Sequence, residues 1–350
     1  KGEIMELIAL EESIRGGGKL EIRDIWQGLS SHSRVFKGSE LAEAAGGAER
    51  AGALLAAGLV AHVGGGGGFA ADGSLYRFHS DAPFVHKGPL NDVGPSGLRS
   101  GLSAPQVAEL MRAQILELYD EYLSSDGRAV DYDAMGRSAA FRRFARTTAA
   151  LKEAKVEELT REERIAFFCN VYNALVVHAT AARGAPDGVL ARLGFFGGIK
   201  YVINGLEYSS NDIEHGVLRA NSVSPAALAT LVGLPNLAPR TFAKGDARLN
   251  CIVEPLDPRI HFALVCGAKS CPAIRVYSAD GLDEQLGAAA EAFCGGEVAI
   301  DVAAREVTTS KIFKWYGRDF TGPEFGGRAL LEKVAPWLPA DKAAAAGGGL

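Results

Sequence analysis

The chain has 350 residues, of which 47% are hydrophobic and 23% are charged, and its formal net charge is −5. This balance is typical of a soluble globular protein and offers no overall positive charge for binding nucleic acid. The sequence has no run of about 18 apolar residues and no basic leader with an apolar core, so we expect neither a membrane span nor a secretory precursor.

The first 82 residues predict a small module of helices and strands. A helix is expected from Ile4 to Ile14, and Ser39 is the expected N-cap of a later helix. The apolar spacing also predicts helices at Gly38–Ala45 and Ala48–Gly58, then a strand pair at Leu59–Val63 and Ser74–Phe78. These elements together are typical of a small α+β domain.

Two strings in this module carry a family resemblance. Residues 35–41, VFKGSEL, and the closing Tyr76-Arg77-Phe78 resemble the DEP domain over roughly residues 1–80. The resemblance implies a winged-helix-like adaptor that docks on membranes or on proteins. The segment 22–34, which would carry a basic docking surface, has only Arg23 and Arg34 as cations. We therefore expect a protein partner, or a larger assembly, rather than a membrane.

A break in composition separates this module from the remainder. A single core rarely serves more than about 300 residues, so two domains are expected. Residues 80–103 hold three prolines and four glycines with little apolar periodicity, which is typical of an exposed connector. We therefore predict domain 1–82, linker 83–103, domain 104–340 and a disordered tail, 341–350.

Two helices are predicted early in the second domain. Residues 105–123 have the spacing of an amphipathic helix. A second helix begins with the capping-box pair Thr160 and Glu163 and ends at Gly184, and it is apolar on almost every side. Its buried polar exceptions either cap neighbouring loops or form the wall of a site, and they are Asn170, Asn173 and His178.

A hairpin followed by a short helix comes next. Asn204-Gly205 predicts a two-residue turn between strands. With Asn211 as N-cap, an α-helix places three polar residues on one face, namely Asp212, His215 and Arg219. They are either a site with an oriented imidazole or a solvated charge ladder.

The third motif, DPRIHFALVCGAKSCP, begins at Asp257. The run Ile260–Val265 predicts a buried strand that carries His261 and leads into a loop. That loop contains Cys266, Ser270 and Cys271. A thiol becomes nucleophilic when a cation or imidazole lowers its pKa, and Lys269, His261 and His215 are the candidates here. A zinc site and structural packing are the alternatives.

The cysteine count bears on the compartment. The five cysteines are an odd number in a long chain, which favours reduced thiols and a cytoplasmic protein over a disulfide framework. The chain opens on Lys1 rather than methionine, so we also expect further sequence upstream.

Four motifs, in order, resemble the domain of unknown function 547 over about residues 104–340. They are TREERIAFFCNVYNALVVHA, NGLEYSSNDIEHGVLR, DPRIHFALVCGAKSCP and SKIFKWYGRDF. The resemblance implies a plant or algal protein in which a DEP domain precedes this domain. It also implies a mixed α/β domain whose buried helix packs on a sheet, but no settled activity. The positions it marks are Asn170, Tyr172, Asn173, His178, Asn211, Asp212, Glu214, His215, Arg259, His261, Cys266, Ser270 and Cys271.

Two functions are consistent with these motifs. The first is a signalling or scaffold protein that docks through residues 1–82. The second is a cysteine-dependent hydrolase or acyl transferase, resembling papain or transglutaminase enzymes, in which Cys271 is the nucleophile, His215 or His261 the base and Asp212 the orienting carboxylate. No metal or cofactor is expected in either case. The candidate pocket wall comprises Asn170, Asn173, His178, Asn211, Glu214, Arg259 and Ser270.

Overall fold

A computed structural model of the chain shows a mixture of helices and short strands, which confirms the α+β class. It describes residues 2–18, 20–27, 30–57, 59–63, 68–78, 88–92, 102–127, 129–224, 240–265, 275–322 and 326–347. Two compact units are present. The first comprises Lys1–Ala154 with His178–Glu207, and the second comprises Lys155–Val177 with Tyr208–Leu350. The chain therefore crosses between units away from the predicted linker.

The first unit begins with the predicted small module. Its helices are α1 (Gly2–Gly16), α2 (Gly38–Ala45) and α3 (Ala48–Ala56), and its strands are β1 (Arg23–Gln27), β2 (Ser30–Lys37), β3 (Val60–His62) and β4 (Leu75–Phe78). The strands form one antiparallel sheet in the order β1-β2-β4-β3. The predicted helices and the β3–β4 pair are confirmed, whereas the β1–β2 pair was not predicted.

The start of α2 shows how close packing organises this module. A Cβ atom on Gly38 would lie 2.0 Å from the carbonyl oxygen of Ala70, so only glycine fits at this position. The expected capping by Ser39 is wrong, because the N-cap of α2 is Lys37, two residues earlier. The Glu40 carboxylate accepts the Lys37 N–H at 2.9 Å and supplies the capping contact.

Helices of the same unit follow. They are α4 (Ala104–Tyr122), α5 (Tyr132–Arg137) and α6 (Ala139–Thr148). Ser103 is the N-cap of α4, which is the predicted amphipathic helix. Part of the predicted exposed linker is buried instead. The Asn91 side chain donates to the carbonyl oxygens of Thr148 and Val202 and accepts the Val202 N–H. These hydrogen bonds between the Asn91 side chain and the backbone hold residues 88–92 in place within the unit. Residues 83–87 and 93–101 lie outside the described residues.

An ion-pair network joins α1 to α6. Arg146 contacts Glu11 at 3.0 Å and Glu12 at 2.7 Å, and Arg142 contacts Glu12 at 2.8 Å. Glu11 is 1% exposed and also accepts from Arg15 at 3.0 Å. Burial raises the pKa of Glu11, although the positive charges of Arg15 and Arg146 oppose this effect. The small module and the helices beyond residue 102 are therefore parts of one structural unit.

The long helix α7 (Arg161–Arg183) runs through both units. Its predicted capping box is confirmed, because Thr160 N–H donates to Glu163 at 2.9 Å and Glu163 N–H donates to Thr160 Oγ1 at 3.2 Å. Within the part of the chain that the structure describes, α7 alone is long and apolar enough to cross a membrane. However, 83% of its apolar stretch is buried inside the protein, as in the core helix of a globular fold.

The other α-helices and strands follow α7 in the chain. They are α8 (Gly188–Gly198), β5 (Lys200–Ile203), β6 (Leu206–Ser209), α9 (Leu282–Glu297), β7 (Ala299–Asp301), β8 (Glu306–Thr308), α10 (Lys311–Thr321), α11 (Gly327–Val334) and α12 (Ala340–Gly347). The predicted hairpin turn at Asn204-Gly205 is present, with both residues at positive φ. Beyond residue 102, the described strands form only two-stranded sheets, so α7 has no large sheet to pack on there.

The expected disordered tail is largely helical. Lys342 in α12 donates to the carbonyl oxygens of Gly295 at 2.7 Å and Val298 at 2.6 Å, which ties this alanine-rich helix to the end of α9. Alanine also has the highest helix propensity. The last three residues, 348–350, lie outside the described residues.

The predicted strand Ile260–Val265 is wrong. The chain forms a single 3₁₀ turn over Pro258–Phe262, and the Asp257 side chain accepts the Arg259 N–H at its start. Proline at the first turn and an aspartate N-cap both favour a helical start. A short apolar run is compatible with either structure, so the capping residues decided the outcome.

The predicted α-helix after Asn211 is also wrong. Residues Asp212–Leu218 form a π-helical turn, and Asn211 has helical backbone angles instead of those of an N-cap. The N–H of Arg219 donates to the carbonyl of Glu214, five residues earlier, and Asn221 N–H donates to Gly216 in the same way. The wider turn invalidates the α-helical spacing from which a shared face was predicted.

Candidate active site

Two histidines and two carboxylates meet in the second unit. The π-helical turn supplies Glu214, His215 and the adjoining Arg219, the 3₁₀ turn supplies His261, and α10 supplies Tyr316 and Asp319. We call these six residues the acid–base cluster. The sequence had marked three of them as candidates, namely Glu214, His215 and His261.

Asp319 links the second histidine to the arginine. Its Oδ2 lies 2.8 Å from His261 Nε2, and its two oxygens accept from Arg219 Nε at 2.6 Å and Nη2 at 3.0 Å. A bidentate guanidinium holds a carboxylate in one orientation. Because Asp319 accepts a hydrogen bond from His261 Nε2, neutral His261 carries its proton on Nε2 and its lone pair on Nδ1.

The charge state of Asp319 follows from these contacts. Burial by itself would raise the pKa of Asp319. The hydrogen bonds from His261 and Arg219, together with the positive charge of Arg219, outweigh burial and lower the pKa to about 2. Asp319 is therefore an anion at neutral pH.

His215 has the same tautomer as His261. Its Nδ1 lies 3.2 Å from Arg219 Nη1, which can only donate, and 3.6 Å from Glu214 Oε1. Burial lowers the pKa of His215, although the Glu214 carboxylate opposes this effect. A neutral His215 that accepts at Nδ1 carries its proton on Nε2. Both imidazoles of the cluster thus carry the proton on Nε2 and the lone pair on Nδ1.

Tyr316 contacts both His261 and Glu214. Its ring stacks on His261 with centroids 4.1 Å apart, and its hydroxyl donates to Glu214 at 2.7 Å. Tyr172 donates to the other Glu214 oxygen at 3.4 Å. Burial would raise the pKa of Glu214, but His215, His261 and the Tyr316 hydrogen bond outweigh it, so the pKa is lowered. Glu214 is thus a second buried anion.

Glycine at position 216 allows the π-helical turn to pack closely. A Cβ atom there would lie 2.3 Å from Phe242 Cζ. Phe242 is itself fixed, because Asn221 accepts its N–H at 2.9 Å and donates to its carbonyl at 3.0 Å. The absence of a side chain at Gly216, next to His215, therefore allows the π-helical turn to lie close to Phe242.

Asp212 does not orient either histidine. Its carboxylate accepts from the Ser209 N–H at 2.8 Å and the Ser209 hydroxyl at 2.7 Å, and it contacts Arg248 at 3.3 Å. Among the described residues, the carboxylates next to the histidines are Glu214 and Asp319. The π-helical turn explains the difference, because it places Asp212 away from the side of His215.

The two asparagines of α7 hold neighbouring backbone segments in place. Asn170 donates to the carbonyl of Tyr277 at 2.7 Å and accepts its N–H at 3.1 Å. Asn173 donates to the carbonyl of Ala263 at 3.1 Å and accepts the Val265 N–H at 2.9 Å. Both amides therefore cap loops, and Asn173 fixes the chain just after His261.

Two further candidates have partners elsewhere. His178 lies in the first unit, where its Nδ1 is 2.9 Å from the Tyr201 hydroxyl, and burial lowers its pKa to about 3. Arg259 pairs with Asp257 at 2.7 Å and with Asp283 at 2.8 Å. Neither is part of the acid–base cluster.

The cysteines divide into two groups. Cys169, Cys251 and Cys294 are buried thiols, and burial raises the pKa of each, to about 12 for Cys294. Cys169 is therefore a poor nucleophile near neutral pH. Cys266, Ser270 and Cys271 lie outside the described residues. Where side chains are described, no group of three or more histidines, cysteines or carboxylates has the geometry of a metal site.

Comparison with known proteins identifies one domain. Residues 156–294 match the family model described as Protein of unknown function, DUF547. The chain therefore contains a DUF547 domain, as predicted, over a narrower range than expected. No curated protein and no solved structure matches the chain. Tyr316 and Asp319 lie beyond the matched range, and the DEP resemblance of residues 1–80 stays a prediction.

Asp319, Tyr316 and the role of Arg219 were not predicted from the sequence. The first two lie in SKIFKWYGRDF, the last of the four motifs that resemble the domain of unknown function 547. An aspartate three residues after a tyrosine, on one face of a helix, was the available signal. Arg219 had been assigned to a shared face with Asp212, a carboxylate that it does not contact among its described partners.

The low pKa of Asp319 predicts a specific acid sensitivity. Its carboxyl has a pKa of about 2 in the folded chain, against an ordinary value of 3.8. The ionised form therefore contributes about 2 kcal/mol of stability above pH 3.8, and this is lost as the pH falls through about 2. Urea unfolding of the wild type and Asp319→Asn across this interval should show their stability difference shrinking as the pH falls. A difference that is constant or increases would contradict the assignment.

Proposed function

We propose that the second unit is a thiol-dependent hydrolase or acyl transferase whose general base is His261, oriented by Asp319. The 2.8 Å contact between His261 Nε2 and Asp319 Oδ2 is the observation that carries this proposal. It gives the imidazole a fixed tautomer and a buried anion that stabilises its protonated form. Cys271 is the nucleophile in this proposal, as the sequence motif indicates.

The chemistry follows the usual order for a thiol nucleophile. His261 Nδ1 removes the thiol proton, and the thiolate forms a bond to the acyl carbon of the substrate. The bond from that carbon to the leaving group then breaks, and the leaving group takes the proton from the imidazolium. Water or another acceptor, deprotonated by the same nitrogen, attacks the thioester and releases the thiol. The donating Nε2 of His215 is suited to stabilising a developing oxyanion.

Elimination of the three described thiols leaves Cys266 and Cys271, of which the sequence motif favours Cys271. Cys169, Cys251 and Cys294 are buried and their pKa values are raised, so each is a poor nucleophile near neutral pH. In addition, Asn173 holds the backbone of Val265, the last described residue before the segment that contains Cys271. Docking of residues 1–82 on a protein partner stays a prediction from the resemblance and would recruit the enzyme.

Thiol labelling tests the proposal without a known substrate. The full chain is treated with iodoacetamide at neutral pH, and labelling of each cysteine peptide is followed by mass spectrometry. Cys271 should react faster than a model thiol, while the three buried cysteines serve as slow internal references. His261→Gln should slow Cys271 by about tenfold, because the imidazole no longer favours the thiolate. His62→Gln, a histidine of the small module, is the matched control and should leave the rate unchanged.

Two results would contradict this function. One is a Cys271 that reacts no faster than a model thiol in the wild type. The other is equal labelling in His261→Gln and the wild type, with both chains folded by circular dichroism. In either case the acid–base cluster would be a structural ion network.

A further inference from the structure

Helix α10 has a second face that the acid–base cluster does not use. Lys311, Lys314, Trp315 and Arg318 are spaced at i, i+3, i+4 and i+7, which places them on one side of the helix, and all four are exposed. We call these four residues the cationic face. Trp315 is 53% exposed, an unusual state for so large an apolar side chain.

The charge on this face is uncompensated. The single acidic residue of α10 is Asp319, whose side chain is 8% exposed and bound to Arg219 and His261. Among the described residues, no carboxylate forms an ion pair with Lys311, Lys314 or Arg318. The face therefore presents three positive charges around one indole, although the whole chain carries a net charge of −5.

We propose that the cationic face docks on an anionic lipid bilayer surface. Lysine and arginine extend their apolar stems along a surface while their charges reach lipid phosphates, and tryptophan prefers the headgroup region. The face is the convex side of one helix. Peptide recognition commonly uses a groove, a sheet edge or a nest, whereas a convex amphipathic helix fits a planar interface. The shape and charge together favour a bilayer over an acidic peptide.

Binding of this kind is weak and dependent on salt. Each cation near an anionic leaflet is worth about fivefold in the binding constant, and the attraction decays within a Debye length. Three cations and one indole are therefore enough for reversible recruitment but not for permanent anchoring. This proposal does not depend on the proposed enzymatic function, since none of the four residues belongs to the acid–base cluster.

Vesicle sedimentation of the full chain tests the proposal. The chain should sediment with phosphatidylcholine vesicles that contain about 30% phosphatidylserine, and much less with pure phosphatidylcholine vesicles or at about 0.5 M salt. The double variant Lys311→Glu with Lys314→Glu should reduce the bound fraction by more than about tenfold. The matched control is Arg137→Glu with Arg143→Glu, two exposed arginines of the first unit, which should bind as the wild type does.

Tryptophan substitution provides the second readout. Trp315→Ala should weaken vesicle binding, and the fluorescence change on adding vesicles should be lost in Trp315→Phe but not in the control double variant. Failure of the wild type to sediment with anionic vesicles at low salt would overturn the proposal. Undiminished binding of the Lys311/Lys314 variant, or equal loss in the control, would also overturn it. A chain that binds soluble polyglutamate but not vesicles would assign the face to an acidic polypeptide instead.

Discussion

Asp319→Asn is expected to lower the free energy of unfolding by about 3–5 kcal/mol. The substitution keeps the shape of the side chain but removes the charge that pairs with Arg219, whose side chain is 4% exposed. An unpaired buried guanidinium costs more than the original pair contributed, because it cannot regain its hydration. Urea unfolding at pH 7, with the slope compared between variants, measures the loss.

Asp212→Asn is the matched control for this variant. Asp212 was the orienting carboxylate in the sequence hypothesis, but its contacts are with Ser209 and Arg248, and about a fifth of its side chain is exposed. We expect a loss of about 1 kcal/mol or less and unchanged labelling of Cys271. Asp319→Asn, in contrast, should slow that labelling in the folded protein. The reverse ranking of the two variants would restore the original assignment.

Arg146→Met is expected to destabilise the first unit by about 3–5 kcal/mol. Arg146 contacts both Glu11 and Glu12, and Glu11 is 1% exposed. After the substitution Glu11 keeps Arg15 as its partner, but burial disfavours its charge more strongly. Thermal and urea unfolding should show the loss.

Arg137→Met tests whether the position in the network matters. Arg137 forms an exposed ion pair with Asp133, 3.3 Å apart, on a helix of the same unit. Exposed pairs contribute roughly 0–1 kcal/mol, so its loss should be small. If Arg146→Met were as mild as Arg137→Met, the network would not join α1 to α6. Residues 1–78 would then be free to unfold independently of the helices that follow residue 102.

Local signals in the sequence were good predictors of single elements. The spacing of apolar residues gave α2 and the strand pair β3–β4 of the small module, and the Thr160–Glu163 capping box gave the start of α7. Asparagine followed by glycine gave the turn between β5 and β6. Each of these signals depends on residues within a few positions of one another, so the chain does not need to be folded for them to be read.

The two elements that position the histidines differ from those that their apolar patterns predicted. An apolar run that suits a strand formed a 3₁₀ turn at Pro258–Phe262, and an apparent α-helix formed a π-helical turn at Asp212–Leu218. The second change separated Asp212 from His215 and left Arg219 in contact with that histidine. The difference between α-helical and π-helical geometry was enough for the sequence to indicate the wrong carboxylate.

The sequence by itself determined the α+β class and the DUF547 domain, and it marked His215, His261 and Glu214 as candidate site residues. Only the tertiary structure decided which groups orient those histidines. Asp319 is 58 residues from His261 and 100 residues from Arg219 along the chain, yet it binds both within 3.0 Å. Side-chain pairing over such separations depends on how helices and turns pack, and hydrophobic periodicity records which face of an element is buried but not what it meets.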